Sequence, residues 1–373
     1  MWHTTRRSIP GVTDAASFRA QFPVLARKAY LNAGTEGPMP ATVAAAVGDR
    51  LAYEMEHGRI GRDYIETIFE LRDRQRAGYA RVLHADPSDV ALTGSTTDGC
   101  NTVLAGLELG PGDVVLTSDE EHPGLLAPLG RLRARGVEVQ VAPFASIAEA
   151  VTSRTRLVAC SHVSWVNGQV VDYEALTAGG VPFLLDGAQG IGAVPTDVTA
   201  LGCAFYAASG QKWLCGPEGS GALYVRRDML DELTVPWPWY ASLADSSDAL
   251  NSGPAPDAAR LDHGFPTGVR ALWALASLDV FETAGWEWVY ARAAQLADRL
   301  ADGLTQRGLQ VQPRGRSTLV SWVSADPEAE VARLAGEDIL LRAIPGRGGL
   351  LRASAGAWSS EVELDRLVEL AAV

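Results

Sequence analysis

Between residues 89 and 225, short β-branched runs alternate with helical stretches, and no other feature limits the fold as much. The runs are Asp89–Thr93, Asp113–Thr117, Val137–Val141, Leu157–Ser161, Val181–Leu185, Ala204–Ala207 and Gly221–Val225. Most are apolar throughout rather than alternating, which suits strands buried on both faces, and each pair is separated by enough chain for a crossover. Such strands assemble into a mostly parallel sheet with helices on both sides. The expected fold class is α/β, with a large domain built on a mostly parallel seven-stranded sheet.

The flanking segments complete that plan. Pro40–Gly58 and Arg62–His84 carry apolar residues at helical spacing, as in Ile65, Ile68, Phe69, Leu71, Tyr79 and Val82. Residues 234–262 are rich in Pro, Ser, Ala and Asp and read as loops. A helical pattern then runs, with interruptions, from about Thr267 to Gln306. Strand-like segments follow at Ser317–Val323, Ile339–Ile344 and Leu350–Ala353, and an amphipathic helix begins at Ser360. These imply a small α+β domain packed on the large one. The expected division is 1–30 as an N-terminal segment of the small domain, 31–265 as the large domain, and 266–373 as a linking helix plus the C-terminal small domain.

Charge and cysteine content narrow the setting. A net charge of −13 argues against nucleic acid or an anionic membrane as partner, since both reward clustered Lys and Arg. No apolar run approaches the roughly 18 residues of a spanning helix. The stretch Met1–Gly11 has basic residues but no apolar segment behind them, unlike a secretory leader. Cys100, Cys160, Cys203 and Cys215 show no paired spacing, so neither a disulfide framework nor a metal site is expected, and the cytoplasm is the natural location.

In open parallel sheets, ligands bind at the carboxyl ends of the strands. There the sequence places Thr93-Gly94-Ser95-Thr96-Thr97 ahead of a helix, small hydroxyl residues suited to cradle a phosphate; a plain N-cap by Thr96 or Thr97 is the alternative. Leu184-Leu185-Asp186 ends a buried strand in a carboxylate, which needs a cationic partner such as a pyridinium nitrogen, unless it merely caps the turn. Lys212 lies just past Ala204–Ala207 among small residues, where desolvation can make an amine nucleophilic. It is one of only two lysines, with Lys28, so the position is not filled by a common surface residue. Gly187–Gly192 does not have the spacing of a dinucleotide-binding loop.

In order, from Tyr30-Leu-Asn-Ala-Gly34 to the final helix, these motifs resemble the class V aminotransferase family: the cysteine desulfurase, isopenicillin N epimerase and cysteine/cystine C–S lyase group of pyridoxal 5′-phosphate (PLP) enzymes. The resemblance implies the PLP-dependent transferase fold type I. It makes Lys212 the Schiff-base lysine and catalytic base, Asp186 the partner of the ring nitrogen, and Gln189 a donor to the phenolic oxygen. Thr96 through its main chain, Thr97, Ser209 and Gln211 would hold the phosphate, helped by Thr267 of a second subunit. His122 would stack on the ring, unless it serves as a helix cap. Arg352 would clamp the substrate α-carboxylate, unless it forms a surface ion pair, and Asn32 and Trp165 would border the substrate. A homodimer with its active site at the interface is implied. The aromatic cluster Trp237, Trp239 and Tyr240 suits packing at such an interface, with lining of the substrate entrance as the alternative.

Three departures shape the reaction. Gln211 stands where relatives usually carry His, and Trp165 where many carry Asn. The segment Leu341–Leu350 lacks the cysteine that desulfurases use as nucleophile. The expected reaction is therefore β-elimination on a cysteine-derived amino acid. An epimerase or aminotransferase ranks next, a desulfurase after that, and a PLP-fold protein that only binds or scaffolds comes last.

Overall fold

The computed structural model describes residues 14–372. The reading of Met1–Gly11 as no leader, and the start of the expected N-terminal segment, fall outside them. All seven expected strands are present, each within two residues of its expected ends: β1 Val90–Thr93, β2 Val114–Ser118, β3 Glu138–Ala142, β4 Thr155–Ser161, β5 Phe183–Asp186, β6 Phe205–Ser209 and β7 Gly221–Val225. They form one sheet in the order β1-β7-β6-β5-β4-β2-β3. Only β7 is antiparallel to its neighbours, β6 and β1.

That reversal places the lysine. β6 ends at Ser209, opposite Gly221 of β7, so the connection returns to the same edge of the sheet. The loop between them is tied by Gly210 N–H to Ser220 O (2.8 Å), Gly216 N–H to Gly210 O (2.8 Å) and Cys215 N–H to Lys212 O (3.1 Å). Lys212 is thereby held over the carboxyl ends of β5 and β6.

Alternate residues along each strand feed two cores. Leu116, Val158, Leu185, Tyr206 and Tyr224 face one side; Val115, Leu157, Leu184, Phe205 and Val225 face the other. This period-two division is what a sheet covered on both faces requires. Helices α1 Ala41–His57 and α2 Arg62–Leu83 pack against α5 Gly268–Ala284. Between them in sequence, α3 Thr96–Gly106 and α4 Pro123–Ala134 follow β1 and β2. Gly285, at φ 86°, separates α5 from α6 Trp286–Gln306, which accounts for the interruption expected in that helical pattern.

The C-terminal part holds β8 Leu319–Val323, β9 Arg342–Ala343 and β10 Leu350–Ser354, antiparallel in the order β9-β10-β8. Helices α7 Pro327–Gly336 and α8 Glu361–Leu370 cover it, α8 capped by Ser360 as its sequence implied. One expectation is corrected. Ile339–Ile344 is not a single strand, because Ile339–Leu340 pairs in parallel with Ala29–Tyr30 while Arg342–Ala343 pairs with β10. The chain changes partners at Leu341, whose buried side chain joins the small apolar core there. Among the described residues, no helix is long and apolar enough to cross a membrane.

Candidate active site

At the end of β1 the helix cap is Ser95, whose Oγ accepts from Asp98 N–H (3.1 Å), rather than Thr96 or Thr97. The displacement matters, because it moves Thr96 and Thr97 into the first turn, where backbone N–H groups lack intrahelical acceptors. Gly99 lets α3 lie close to β6: a Cβ there would stand 2.9 Å from that of Ala207. Nearby, Thr96 Oγ1, Ser209 Oγ and Gln211 Oε1 are buried with no hydrogen-bond partner among the described residues. A Cβ on Gly124 would meet Thr97 Oγ1 at 2.4 Å, so Thr97 sits against the start of α4.

Asp186, buried at the end of β5, accepts from Ala188 N–H at 3.0 Å, so it does cap the turn with one oxygen. Burial raises its pKa, opposed by that hydrogen bond and by the charge of Lys212. Lys212 is pushed down to about 8, chiefly by burial and further by Arg352 and Arg342, against the pull of Asp186. Lys212 therefore feels Asp186 and the two arginines at once. Gln189 gives one N–H to Gly34 O (2.7 Å) and accepts from Trp213 Nε1 (2.9 Å), which fixes its amide and leaves a second N–H.

His122 is the N-cap of α4. Its Nδ1 accepts from Gly124 N–H (3.0 Å), so the cap reading holds, and that bond places the ring proton on Nε2. Burial, with the charges of Lys212, Arg342 and Arg352, pushes its pKa down to about 4. Its ring meets Trp165 edge-on at 5.1 Å.

Arg352 is no surface ion pair. It is fully buried on β10, and its one bond runs from Nη1 to Trp165 O (2.6 Å). Among the described residues, Nε and Nη2 are buried without partners and no carboxylate bridges it. Burial and Arg342 push it down to about 9. Asn32 bridges to Ser354 beside it, and its Oδ1 accepts from Thr35 Oγ1 (2.9 Å). Gly34 leaves the guanidinium its room, since a Cβ would fall 2.7 Å from Arg352 Nη2. The sequence reading missed Arg342, which lies directly opposite Arg352 in the β9–β10 register and donates to Thr35 Oγ1 (3.0 Å). An Arg at each side of an Ile-Pro-Gly-Arg-Gly-Gly turn was the available signal. Thr267, at the start of α5, is exposed and bonded to none of the other candidate residues.

Buried hydroxyls without partners at a helix N-terminus suit a phosphate. A buried carboxylate facing a lysine of lowered pKa suits a protonated pyridine ring and its imine-forming aldehyde. The donor set thus fits PLP. Residues 30–353 match the family model described as Aminotransferase class-V. The chain belongs to the aminotransferase class-V family.

Within that family, the chain is 30% identical to Escherichia coli cysteine desulfurase CsdA, covering 96% of both chains. It is 28% identical to the isopenicillin N epimerase of Streptomyces clavuligerus, over 91% of this chain and 93% of that protein. Among solved structures, the cystine C–S lyase C-DES in complex with its reaction product cysteine persulfide superposes with a TM-score of 0.88, at 29% identity, over 94% of this chain and 98% of that one. A mutant of C-DES with glycine covalently linked to the PLP cofactor gives a TM-score of 0.89 with the same identity and coverage.

Proposed function

We propose that this class V chain is a PLP-dependent carbon–sulfur lyase that performs β-elimination on a cysteine-derived amino acid. The observation that carries the reading is Arg352, a fully buried guanidinium with two unpaired nitrogens beside a lysine pushed down to about 8. A buried cation is costly unless an anion meets it, and a planar carboxylate is the geometric match for two free guanidinium nitrogens.

PLP, when bound through Lys212, supplies the electron sink for charge developing at the substrate α-carbon. The chain's own residues do the rest. Thr96 and Thr97 N–H, with Ser209 and Gln211, hold the phosphate, and Asp186 keeps the ring nitrogen protonated. His122 covers the ring, while Gln189 turns its free N–H towards the phenolic oxygen. Arg352 orients the α-carboxylate with Asn32 and Trp165 at its sides. Lys212 Nζ, whose pKa burial brings down to about 8, accepts the α-proton. The C–S bond then breaks with its electron pair leaving on sulfur, and addition of water releases pyruvate and ammonia. Arg342, opposite Arg352, favours a substrate with a second anionic group, such as the far carboxylate of cystine.

Desulfurase chemistry fits less well. Among the described residues the four cysteines are all buried and none lies on the Arg342–Arg352 hairpin; burial raises each thiol pKa. The resemblance to an epimerase keeps racemisation or transamination as the second reading. We further assign a homodimer, for which exposed Met55, Ile60, Trp237, Leu250 and Phe265 offer apolar contact surface, with Thr267 reaching the second site. A cytoplasmic location and the division at residues 30 and 265 belong to the same reading. The test is to incubate PLP-loaded protein with cystine and, separately, with cysteine, and to assay pyruvate, ammonia, alanine and persulfide in each. Pyruvate with ammonia and cysteine persulfide is expected from cystine; alanine formed from cysteine would make the protein a desulfurase.

A further inference from the structure

Four consecutive residues after β2 each fasten a different element. Asp119 Oδ1 accepts from Phe144 N–H (3.0 Å), and its carbonyl accepts from Arg347 on the β9–β10 hairpin. Glu121 takes Ser118 Oγ (2.5 Å), Ser161 N–H (3.0 Å) and Ser161 Oγ (2.6 Å), which ties β2 to β4. His122 caps α4. Glu120 has no part in the sheet or in the cofactor cradle. Its Oε1 accepts from Asn167 Nδ2 (3.0 Å) and its Oε2 from Ser164 Oγ, so the carboxylate grips both ends of the turn that presents Trp165.

That turn is a crossing point. Among the described residues the Trp165 carbonyl is the sole partner of Arg352 Nη1, and the Trp165 ring packs edge-on against His122 and alongside Ile344. On the far side it is held from the C-terminal part by Ser321 Oγ to Val166 O (2.6 Å) and Ser317 Oγ to Gly168 O (2.7 Å). Glu120 is its side-chain anchor from the β2 end.

We infer that Glu120 is a positioning residue for substrate recognition: by gripping Ser164 and Asn167 it fixes the Trp165 carbonyl that aims Arg352 at the substrate α-carboxylate. The inference rests on the amino-acid reading above. Among the described residues Arg352 has no acid to orient it, so its direction depends on the one carbonyl it touches. That carbonyl belongs to a turn, whose position depends on the groups that hold it. Loss of Glu120 frees the turn without removing any group that touches substrate or cofactor.

The experiment compares glycine with methylamine as ligands of the PLP-loaded protein, read from the shift of the cofactor absorption band. Both amines can displace Lys212, but only glycine has a carboxylate. In Glu120→Ala the glycine Kd is expected to rise about tenfold, the effect of losing one to two charge-assisted hydrogen bonds, with the methylamine Kd within about twofold of wild type. Glu120→Gln, which keeps the volume and one acceptor, should lie between. Hydrogen exchange at Gly168 and Gln169, whose N–H groups bond to Ser164 O and Asn167 Oδ1, should quicken in Glu120→Ala even without cofactor. An equal rise for both amines, or no change for glycine, overturns the positioning role. A wild-type protein whose band shifts with neither amine defeats the amino-acid reading instead, and is distinguished by failing before any substitution is made.

Discussion

Arg76 on α2 and Arg352 on β10 are both buried, and their surroundings could hardly differ more. Arg76 meets Asp262 through two bonds, Nη1 to Oδ1 (2.8 Å) and Nη2 to Oδ2 (2.7 Å), and gives a third to Val90 O (2.8 Å). Asp262 in turn accepts Leu92 N–H (2.8 Å). Burial alone would lower the Arg76 pKa, but Asp262 lifts it above its ordinary value. Arg352 keeps one carbonyl, faces a second arginine and falls to about 9. A closed set of partners marks an arginine that joins elements of the fold; an open set marks one that waits for a ligand.

Predictions follow from that contrast, taken from the largest effect down. Lys212 is the extreme open group, and Lys212→Ala should lower pyruvate release from cystine by more than about a thousandfold, as loss of a proton-transferring group does, while the fold is retained. Arg352→Met should lower kcat/KM by about a hundredfold or more, most of it in KM, yet raise the urea midpoint, because an uncompensated buried charge is removed. Arg76→Met should do the reverse. It strands Asp262 and should cost about 3–5 kcal/mol in urea unfolding, with kcat/KM of the folded protein changed only a few-fold. If both arginine variants lose stability alike, the contrast between open and closed sets fails.

The smallest effect concerns Glu121, whose carboxyl burial raises from 4.5 to about 7. The folded protein then keeps a proton that the unfolded chain gives up between those values. The resulting contribution is complete below about pH 4.5 and is lost as pH rises through 7. Stability of wild type relative to Glu121→Gln should fall over that window in urea melts at stepped pH.

How far the sequence disclosed these features depended on how local they are. The β-branched runs were legible because apolar content along a strand reflects burial on its two faces. So were the places of Lys212 and Asp186 at strand ends, whereas the helical pattern from Thr267 to Gln306 showed that it was interrupted but not that the break falls at Gly285. The cap at Ser95 was missed by one or two residues, since Ser95, Thr96 and Thr97 are all good caps and packing decides between them. Ile339–Ile344 looked like one strand because its hydrophobicity does not record that its two ends pair with Ala29–Tyr30 and with β10. Arg342 beside Arg352, and Glu120 beneath Trp165, arise from a hairpin register and from contacts far apart in the chain. No local pattern encodes them.

The pairing of Ala29–Tyr30 with Ile339–Leu340 has a consequence for how such a protein is made. The turn that follows Tyr30 brings Gly37 so near the lysine loop that a Cβ there would stand 2.1 Å from Lys212 O. Its neighbouring strand leaves the ribosome long before the edge that receives it. Domains of this size otherwise gather from the N-terminus as they are translated. Here a piece made early is seated late, so a translation product halted before residue 339 lacks that edge, and its lysine loop stays uncovered however well the central sheet has formed.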